Sequence, residues 1–382
     1  MPKSLLSCLV SAACLSAALT AQSLTVSEGN MIVTTGSLSA ALHEPRVFDL
    51  KADALVTDHG YEHQWYYRIA GDTRELSLRN IGGVTGGAFG SVHADRDWAN
   101  VDNRNQLRVS LDYDCYASGP ASGVFISRCT VTNISNAPIV LDMIAYSDLD
   151  IANSSGNDSV TGTNSSHFVT DPSGVQVEVR AIGNDLSQAS AYPVIRNALL
   201  NLAVDNLTGA LPPFTGDYTG AFQWTNRTLQ PREVRTFQIA FAVDTAAVAL
   251  PLVEHYGASS NNGLQVHTQF LPLQDNSQPR QIAVQMKGAL PGAEYRLAVG
   301  QAPISPFPFI PGIDLWIDPF VLVGIYGGLT SPTGEAFELY FVPPSPYLTG
   351  FSVYGQAFAV DVSAPNGFAN WSSGMRLRIG KL

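Results

Sequence analysis

Charge is the scarcest commodity in this 382-residue chain. Aspartate, glutamate, lysine and arginine together make up 14% of it, where an average soluble protein carries roughly 25%. The 21 basic residues are scattered and outnumbered by 32 acidic ones. Phosphate recognition needs clustered lysine and arginine, so nucleic acid is excluded as a partner. Beyond the first twenty residues no apolar run is long enough to cross a bilayer as a helix, which takes about 20 residues. Cysteine is nearly absent, with four in all. Two of these, Cys8 and Cys14, fall in the N-terminal leader, and no ligand pair or histidine partner accompanies the others at metal-site spacing, which excludes a zinc or thiol-catalytic role.

What is plentiful is apolar, aromatic and turn-forming. Hydrophobic residues are 45% of the chain, with 33 glycines, 23 prolines, 17 phenylalanines and 14 tyrosines. That rules out disorder for most of the length and supports a sizeable core. Few sequence windows show helical periodicity, so the composition points to an all-β, extracellular protein. The opening residues MPKSLLSCLVSAACLSAALTAQ carry one positive charge at Lys3, an apolar run from Leu5 to Leu19 and small residues before Gln22. They read as a secretory signal peptide over residues 1–21, cleaved after Ala21 or alternatively after Ala18. The expected location is therefore secreted, extracellular or cell-envelope. A lipoprotein signal through Cys14 is disfavoured because Ser11 stands where such signals prefer leucine.

The expected centre of the fold is Gly123–Ile151. Val124–Thr132 and Ile139–Tyr146 are β-branched, apolar runs separated by Asn133-Ile134-Ser135-Asn136-Ala137-Pro138, which reads as a hairpin. The second run is apolar on both faces, the mark of a central strand buried on two sides. Met31–Thr35, Trp65–Ile69, Leu107–Tyr116 and the alternating Val175–Arg180 read as further strands. Val194–Asp205 is the one helical pattern, with Ile195, Leu199 and Leu202 at helical spacing. Gly82–Gly90 lacks the lysine and the βαβ frame of a phosphate loop and reads as a flexible surface loop. Ala152–Pro172 is a long polar segment. In an oxidising compartment Cys115 and Cys129, flanking one turn, are expected to form a disulfide that contributes about 3 kcal/mol in the chain-entropy model.

The resulting organisation is two β-sandwich-like domains, residues 22–245 and 280–382, joined by a connecting segment over 246–279 with linker composition at Gly257–Gly263. The order GALPGAEYRLAVG, PGIDLWIDP and YGQAFAVDVSAPNGFANWSSGMRLRIG in the last hundred residues resembles the C-terminal β module of uncharacterised secreted proteins of planctomycete-type bacteria. The resemblance covers about a quarter of the chain. It implies an extracellular or envelope location and brings no catalytic residues. The proline-rich PISPFPFIPGIDLWIDP is expected to pack its aromatics on its own sheet rather than to serve as a polyproline ligand.

Three constellations are candidates for chemistry. His59-Gly60-Tyr61-Glu62-His63 matches H-x-x-E-H, but Gly60 disfavours a helix and a strand would split His63 from Glu62, so a zinc site is not expected. Asp148, Asp150, Asn153 and Asp158 gather hard oxygen donors after the central strand; if any ion binds, it is calcium at these four. Trp65 and Tyr66, with Asp148 and Asp150, are the candidate ligand-binding residues for a sugar, among the aromatics Tyr67, Trp98 and Trp224. No catalytic residue is assigned. The expected function is a non-catalytic binding or structural protein, with an extracellular glycan or envelope component as partner; a carbohydrate-binding or carbohydrate-active sandwich is the alternative.

Overall fold

The computed structural model describes residues 23–36, 48–53, 56–78, 84–89, 92–245, 253–260, 264–270, 280–310, 313–343, 345–348, 350–364 and 366–379. The signal-peptide expectation lies outside them. The described residues are all-β with one short helix, as the composition requires. Among them no helix is long and apolar enough to cross a membrane.

A nine-stranded antiparallel sheet forms the middle layer, in the order Phe214–Gly216, Asp158–Gly162, Ser166–Thr170, Gln176–Ile182, Val234–Val243, Ser122–Asn133, Leu107–Gly119, His93–Trp98 and Val84–Phe89. Facing it is a five-stranded sheet of Leu186–Ala191, Tyr218–Leu229, Ile139–Leu149, Glu62–Ile69 and Leu76–Ser77. A three-stranded sheet, Leu24–Glu28, Met31–Thr35 and Phe48–Lys51, contributes Val26, Met31, Val33, Phe48 and Leu50 to the same core. Strands place alternate residues on opposite faces. Thus Leu107, Val109, Leu111, Tyr113 and Cys115 point into this core, where Trp65 stacks on Trp224 with ring centroids 5.7 Å apart.

Ile139–Leu149 holds the central position in its sheet and is buried along both faces, as its pattern predicts. The hairpin expectation is wrong, however. Ser122–Asn133 pairs with Leu107–Gly119 and Val234–Val243 in the nine-stranded sheet, while Ile139–Leu149 pairs with Glu62–Ile69 and Tyr218–Leu229 in the other. The turn is an arch between sheets. Two strands that are apolar on both faces carry no information about which neighbours they take. Buried Asn133 fixes the arch. Its amide donates to the carbonyls of Ala137 and Leu229 at 2.8 and 2.9 Å, and its oxygen accepts from the Ser135 N–H at 2.9 Å. The Asn133 carbonyl also accepts from the Arg232 N–H at 2.7 Å, tying in the parallel arch between Tyr218–Leu229 and Val234–Val243.

The nine-stranded sheet is covered on its second face as well. Tyr116, Val124, Ile126, Ala240 and Ala242 pack against Val253, Leu264, Val266, Val284 and Met286 from C-terminal strands. Those strands form a sheet ordered Val253–Tyr256, Gly374–Arg378, Ser352–Val360, Glu294–Gly300 and Leu322–Leu329, a three-stranded sheet of Gln265–Phe270, Arg280–Lys287 and Ala336–Val342, and a hairpin of Pro303–Ile310 and Ile313–Ile317. The connecting segment therefore contributes two strands, Val253–Tyr256 and Gln265–Phe270, which pair with Gly374–Arg378 and Arg280–Lys287.

Other expectations are corrected locally. Within the glycine run, Val84–Phe89 is an edge strand on His93–Trp98, not a loop, and Gly86 adopts φ +119 where a Cβ would lie 2.4 Å from the Asp95 carbonyl oxygen. The polar segment 152–172 contains the strands Asp158–Gly162 and Ser166–Thr170. The helix is Val194–Leu200, shorter than expected; Ile195 and Leu199 are buried but Leu202 is 79% exposed. Asn201 has left the helix, and its side-chain oxygen accepts from the Ala203 N–H at 2.6 Å.

The disulfide is excluded by register. Cys115 lies opposite Phe125 and Cys129 opposite Leu111. The two thiols are four positions apart along the ladder, about 13 Å at the strand repeat, whereas a disulfide needs Cα atoms within about 7 Å. Both are free and buried, and burial pushes both thiols up, so both are inert in the folded state. Thiol titration with an aromatic disulfide reagent should find neither cysteine in native protein and both in denaturant; one bridged pair after denaturation would contradict this register.

Candidate functional site

Two groups of ionisable side chains are gathered by this architecture, and they differ in whether their charge is compensated. The first lies on the outer face of the nine-stranded sheet. Alternation turns His93, Asp95, Asp97, Asp112, Asp114 and Arg128 away from the main core. The C-terminal strands then bury them, with Asp114 and His93 at 0% exposure and Arg128 at 1%. Arg128 forms an ion pair with Asp114, which also accepts from His93 Nδ1 at 2.7 Å. From the covering strands, Lys287 Nζ reaches Asp95 at 2.6 Å and Asp97 at 3.6 Å, and His267 Nδ1 lies 3.0 Å from Asp112. Burial alone would lower His267, but Asp97 and Asp112 raise it to about 9. Asp95, Asp97 and His267 offer ligand atoms within 4.8 Å of one another. Lys287 already supplies the cation there, so the group is an ion-pair network between layers. Beside it a small, partly open crevice, with room for little more than water, is lined by Arg108, Ser110, Thr132, His255 and Ser373 and has no Trp, Tyr or Phe wall for a sugar.

The second group lies at one end of the N-terminal sandwich. Asp148 and Asp150 end the central strand, and Asp217 immediately precedes Tyr218–Leu229, which pairs with it; carboxylate oxygens of these three lie within 4.8 Å of one another. Asp158 opens the strand that pairs with Phe214–Gly216, opposite Gly216. It is 0% exposed, and neither of its carboxylate oxygens has a hydrogen-bond partner. Asp217 Oδ1 is likewise buried without a partner. Burial, then Asp217, Asp150 and Glu62, push the Asp148 carboxyl up to about 8; burial, then Asp171, Asp217 and Asp150, push Asp158 up to about 7. Asp150 and Asp217 are raised by burial and by neighbouring acids too. Among the described residues no lysine or arginine forms an ion pair with any of the four, and Arg196 is bound to Glu62 at 3.2 Å.

Of the four residues expected at a cation site, Asp148 and Asp150 are brought together, with Asp217; Asp158 lies outside that group, near enough to Asp217 and Asp150 to feel their charge, and Asn153 is turned elsewhere. Its side-chain oxygen accepts from the Asp58 N–H at 3.2 Å and its own N–H donates to the Asp58 carbonyl at 2.8 Å, so it pins the loop before Glu62–Ile69. Ala152 and Asn153 both take positive φ, +56 and +61, bending the chain sharply after Asp150. Asp217, the missing fourth ligand, lies nearly sixty residues from Asp158 and no local motif marks it.

The other candidates are core. Trp65, Tyr66, Tyr67 and Trp98 are each 1% exposed and Trp224 2%, so none can stack on a sugar. Trp65 donates its indole N–H to Ser127 Oγ at 2.9 Å, and Tyr66 packs with Ile144, Tyr146, Ile195 and Leu199 under the helix. His63 is buried and neutral, lowered to about 4 by burial; its Nδ1 donates to the Tyr146 carbonyl at 2.9 Å and its Nε2 meets Ser127 Oγ at 2.9 Å. His59 accepts from the Ala152 N–H at 3.1 Å. Both imidazoles of the H-x-x-E-H match are therefore committed to the fold.

No family model and no curated protein matches the chain. Among solved structures it is similar to a bacterial glucoamylase crystallised with acarbose, at 10% identity and a TM-score of 0.38 over 59% of this chain. The aligned part spans about a third of that protein, 34%.

The carboxylate cluster sets a pH dependence. A carboxyl raised in the folded state binds its proton more tightly there than in the unfolded chain, so stability falls as pH rises through the interval between the two values. Cation-free protein should lose melting temperature between about pH 4 and pH 8 through Asp148 and Asp158. Asp148→Asn, which fixes the neutral form, should flatten that slope in thermal melts with chelator; a melting temperature that rises over this interval and is indifferent to the substitution would contradict it.

Proposed function

We propose that this is an extracellular, non-catalytic binding or structural protein whose N-terminal sandwich is locked by a calcium ion at Asp148, Asp150, Asp158 and Asp217. One observation carries the reading: the carboxylates of Asp148, Asp150 and Asp217 converge with Asp158 nearby, buried oxygens of Asp158 and Asp217 accept no hydrogen bond, and among the described residues no lysine or arginine pairs with any of the four. Calcium takes six to eight oxygens in irregular geometry, and carboxylates together with main-chain carbonyls at a strand end meet that demand. Extracellular calcium sites work at roughly 10⁻⁴–10⁻³ M, which suits the secretory leader read at residues 1–21.

The same geometry disfavours glycoside hydrolysis. That chemistry needs two carboxyl groups facing a sugar across an open cleft, one protonated and one ionised. Here Asp148 is 2% exposed and Asp158 0%, and the aromatics that would seat a ring are in the core. Of the acid pair of the carbohydrate-active alternative, Asp148 and Asp150, the first is buried and the second half-buried, and its aromatic platform lies in the core. A glycan or envelope component as binding partner belongs to this proposal as its expected class and is tested separately from the ion.

Calorimetric titration of calcium into chelated protein, with melting curves at pH 8, tests the ion. At a hundredfold excess over the dissociation constant, binding contributes about 2.7 kcal/mol, or roughly 5–10 °C for a domain of this size. Asp148→Asn or Asp217→Asn should remove that gain, and at pH 5 protons should compete it down. A glycan array and a glycosidase panel on calcium-loaded protein test the rest. Binding without turnover is expected, and turnover abolished by Asp148→Asn would overturn the non-catalytic reading.

A further inference from the structure

The strand Leu322–Leu329 ends the largest C-terminal sheet, paired on one side with Glu294–Gly300. Among the described residues no strand pairs with its other edge. Its side chains are exposed on both faces: Val323 is 59% exposed, Ile325 61% and Leu329 71% on one, and Leu322 38% and Tyr326 37% on the other. Phe320, just before it, is 89% exposed, and Leu339 and Phe341 on the neighbouring sheet edge are 45% and 73%. No charged residue occurs from Pro319 to Gly334. Soluble proteins guard such edges with lysine, proline or bulges. Here the one register shift lies at the Leu322 end and leaves Gly324–Leu329 regular.

We propose that Leu322–Leu329 pairs antiparallel with the same strand of a second copy of this chain, joining two C-terminal sheets across a two-fold axis. The exposed apolar surface of this strand, Phe320 and the adjoining edge is on the order of 1,000 Å² by typical side-chain areas. A stable pair buries about 800 Å² per partner. Pairing satisfies the outward N–H and C=O groups, and an uncharged edge meets its own image without like-charge repulsion. A lipid surface satisfies the apolar side chains but leaves those backbone groups unpaired in hydrocarbon, which costs several kcal/mol each. Residues 319–334 also offer no lysine or arginine to an anionic headgroup.

Sedimentation velocity of the purified protein over a nanomolar to high-micromolar series tests the pairing. A monomer–dimer equilibrium is expected. Ile325→Lys sets two ammonium groups across the axis and should raise the dissociation constant by at least about tenfold, with an unchanged melting temperature. Leu329→Lys, on the more exposed end of the strand, serves where Ile325→Lys fails to fold. A monomer at every concentration overturns the proposal, as does a dimer indifferent to both substitutions or an assembly that grows beyond two copies. Monomers that float with neutral phosphatidylcholine vesicles, lost in Ile325→Lys, overturn it in favour of a membrane surface.

Discussion

Covering a charged sheet face is the constraint on which the rest of this molecule depends. The nine-stranded sheet has one apolar face, which the five- and three-stranded sheets bury in the ordinary way. Its other face carries four aspartates, and the C-terminal strands cover those too. Burying a carboxylate without a partner costs several kcal/mol. Partners come from both layers: Arg128 and His93 from the sheet itself, Lys287 and His267 from the cover. The apolar half of the same face, Tyr116, Val124, Ile126, Ala240 and Ala242, provides the attraction that brings the layers together. The ion pairs then fix which strands meet, since a one-residue slip would turn every one of these charges to the other side.

This arrangement explains which parts of the fold could be read in the chain. Apolar residues on both faces identified Ile139–Tyr146 as a strand buried on two sides, and alternation pointed Val175, Val177 and Val179 inward, of which Val177 and Val179 are fully buried and Val175, just before the strand, is half-buried. Neither pattern identified partners. Asp112 and Asp114 alternate with Leu111, Tyr113 and Cys115 just as solvated residues would, and only a cover hundreds of positions away makes them interior. The Cys115–Cys129 expectation failed for the same reason: sequence proximity across a turn says nothing of register, and here the ladder sets the thiols four positions apart. Glycine composition misled at Val84–Phe89, where it marks an edge strand closely backed by Asp95 and not a loop.

The candidate site was legible to the extent that its ligands are local. Asp148 and Asp150 are two positions apart at the end of one strand, so their approach could be expected, and Asp158, eight positions on, lies nearby but outside the group they form with Asp217. Asp217 arrives through strand pairing, because Tyr218–Leu229 is hydrogen-bonded to the central strand and its first residues lie beside Asp148 and Leu149. Asn153 has the right chemistry and the wrong task. With positive φ at Ala152 and Asn153 the chain turns toward Asp58, and the asparagine side chain closes that turn.

Comparing the two acidic groups separates structure from function on physical grounds. Both are largely buried and both bring carboxylates within a few ångströms, through different strand pairings. At the interlayer network Lys287, His267 and Arg128 offset most of the acid charge and hold the layers in register, although burial and Asp97 still push Asp95 up to about 7. At the end of the sandwich the acids meet the Tyr146 hydroxyl and one another, and burial with mutual repulsion drives Asp148 and Asp158 into the neutral range. A set of carboxyls that must either keep protons or take a divalent ion is not needed to hold strands together, because apolar side chains would do that at lower cost. Its place at the end of a strand buried on both faces suits the proposed ion site: ligands held before the ion arrives, so that little ordering entropy opposes binding.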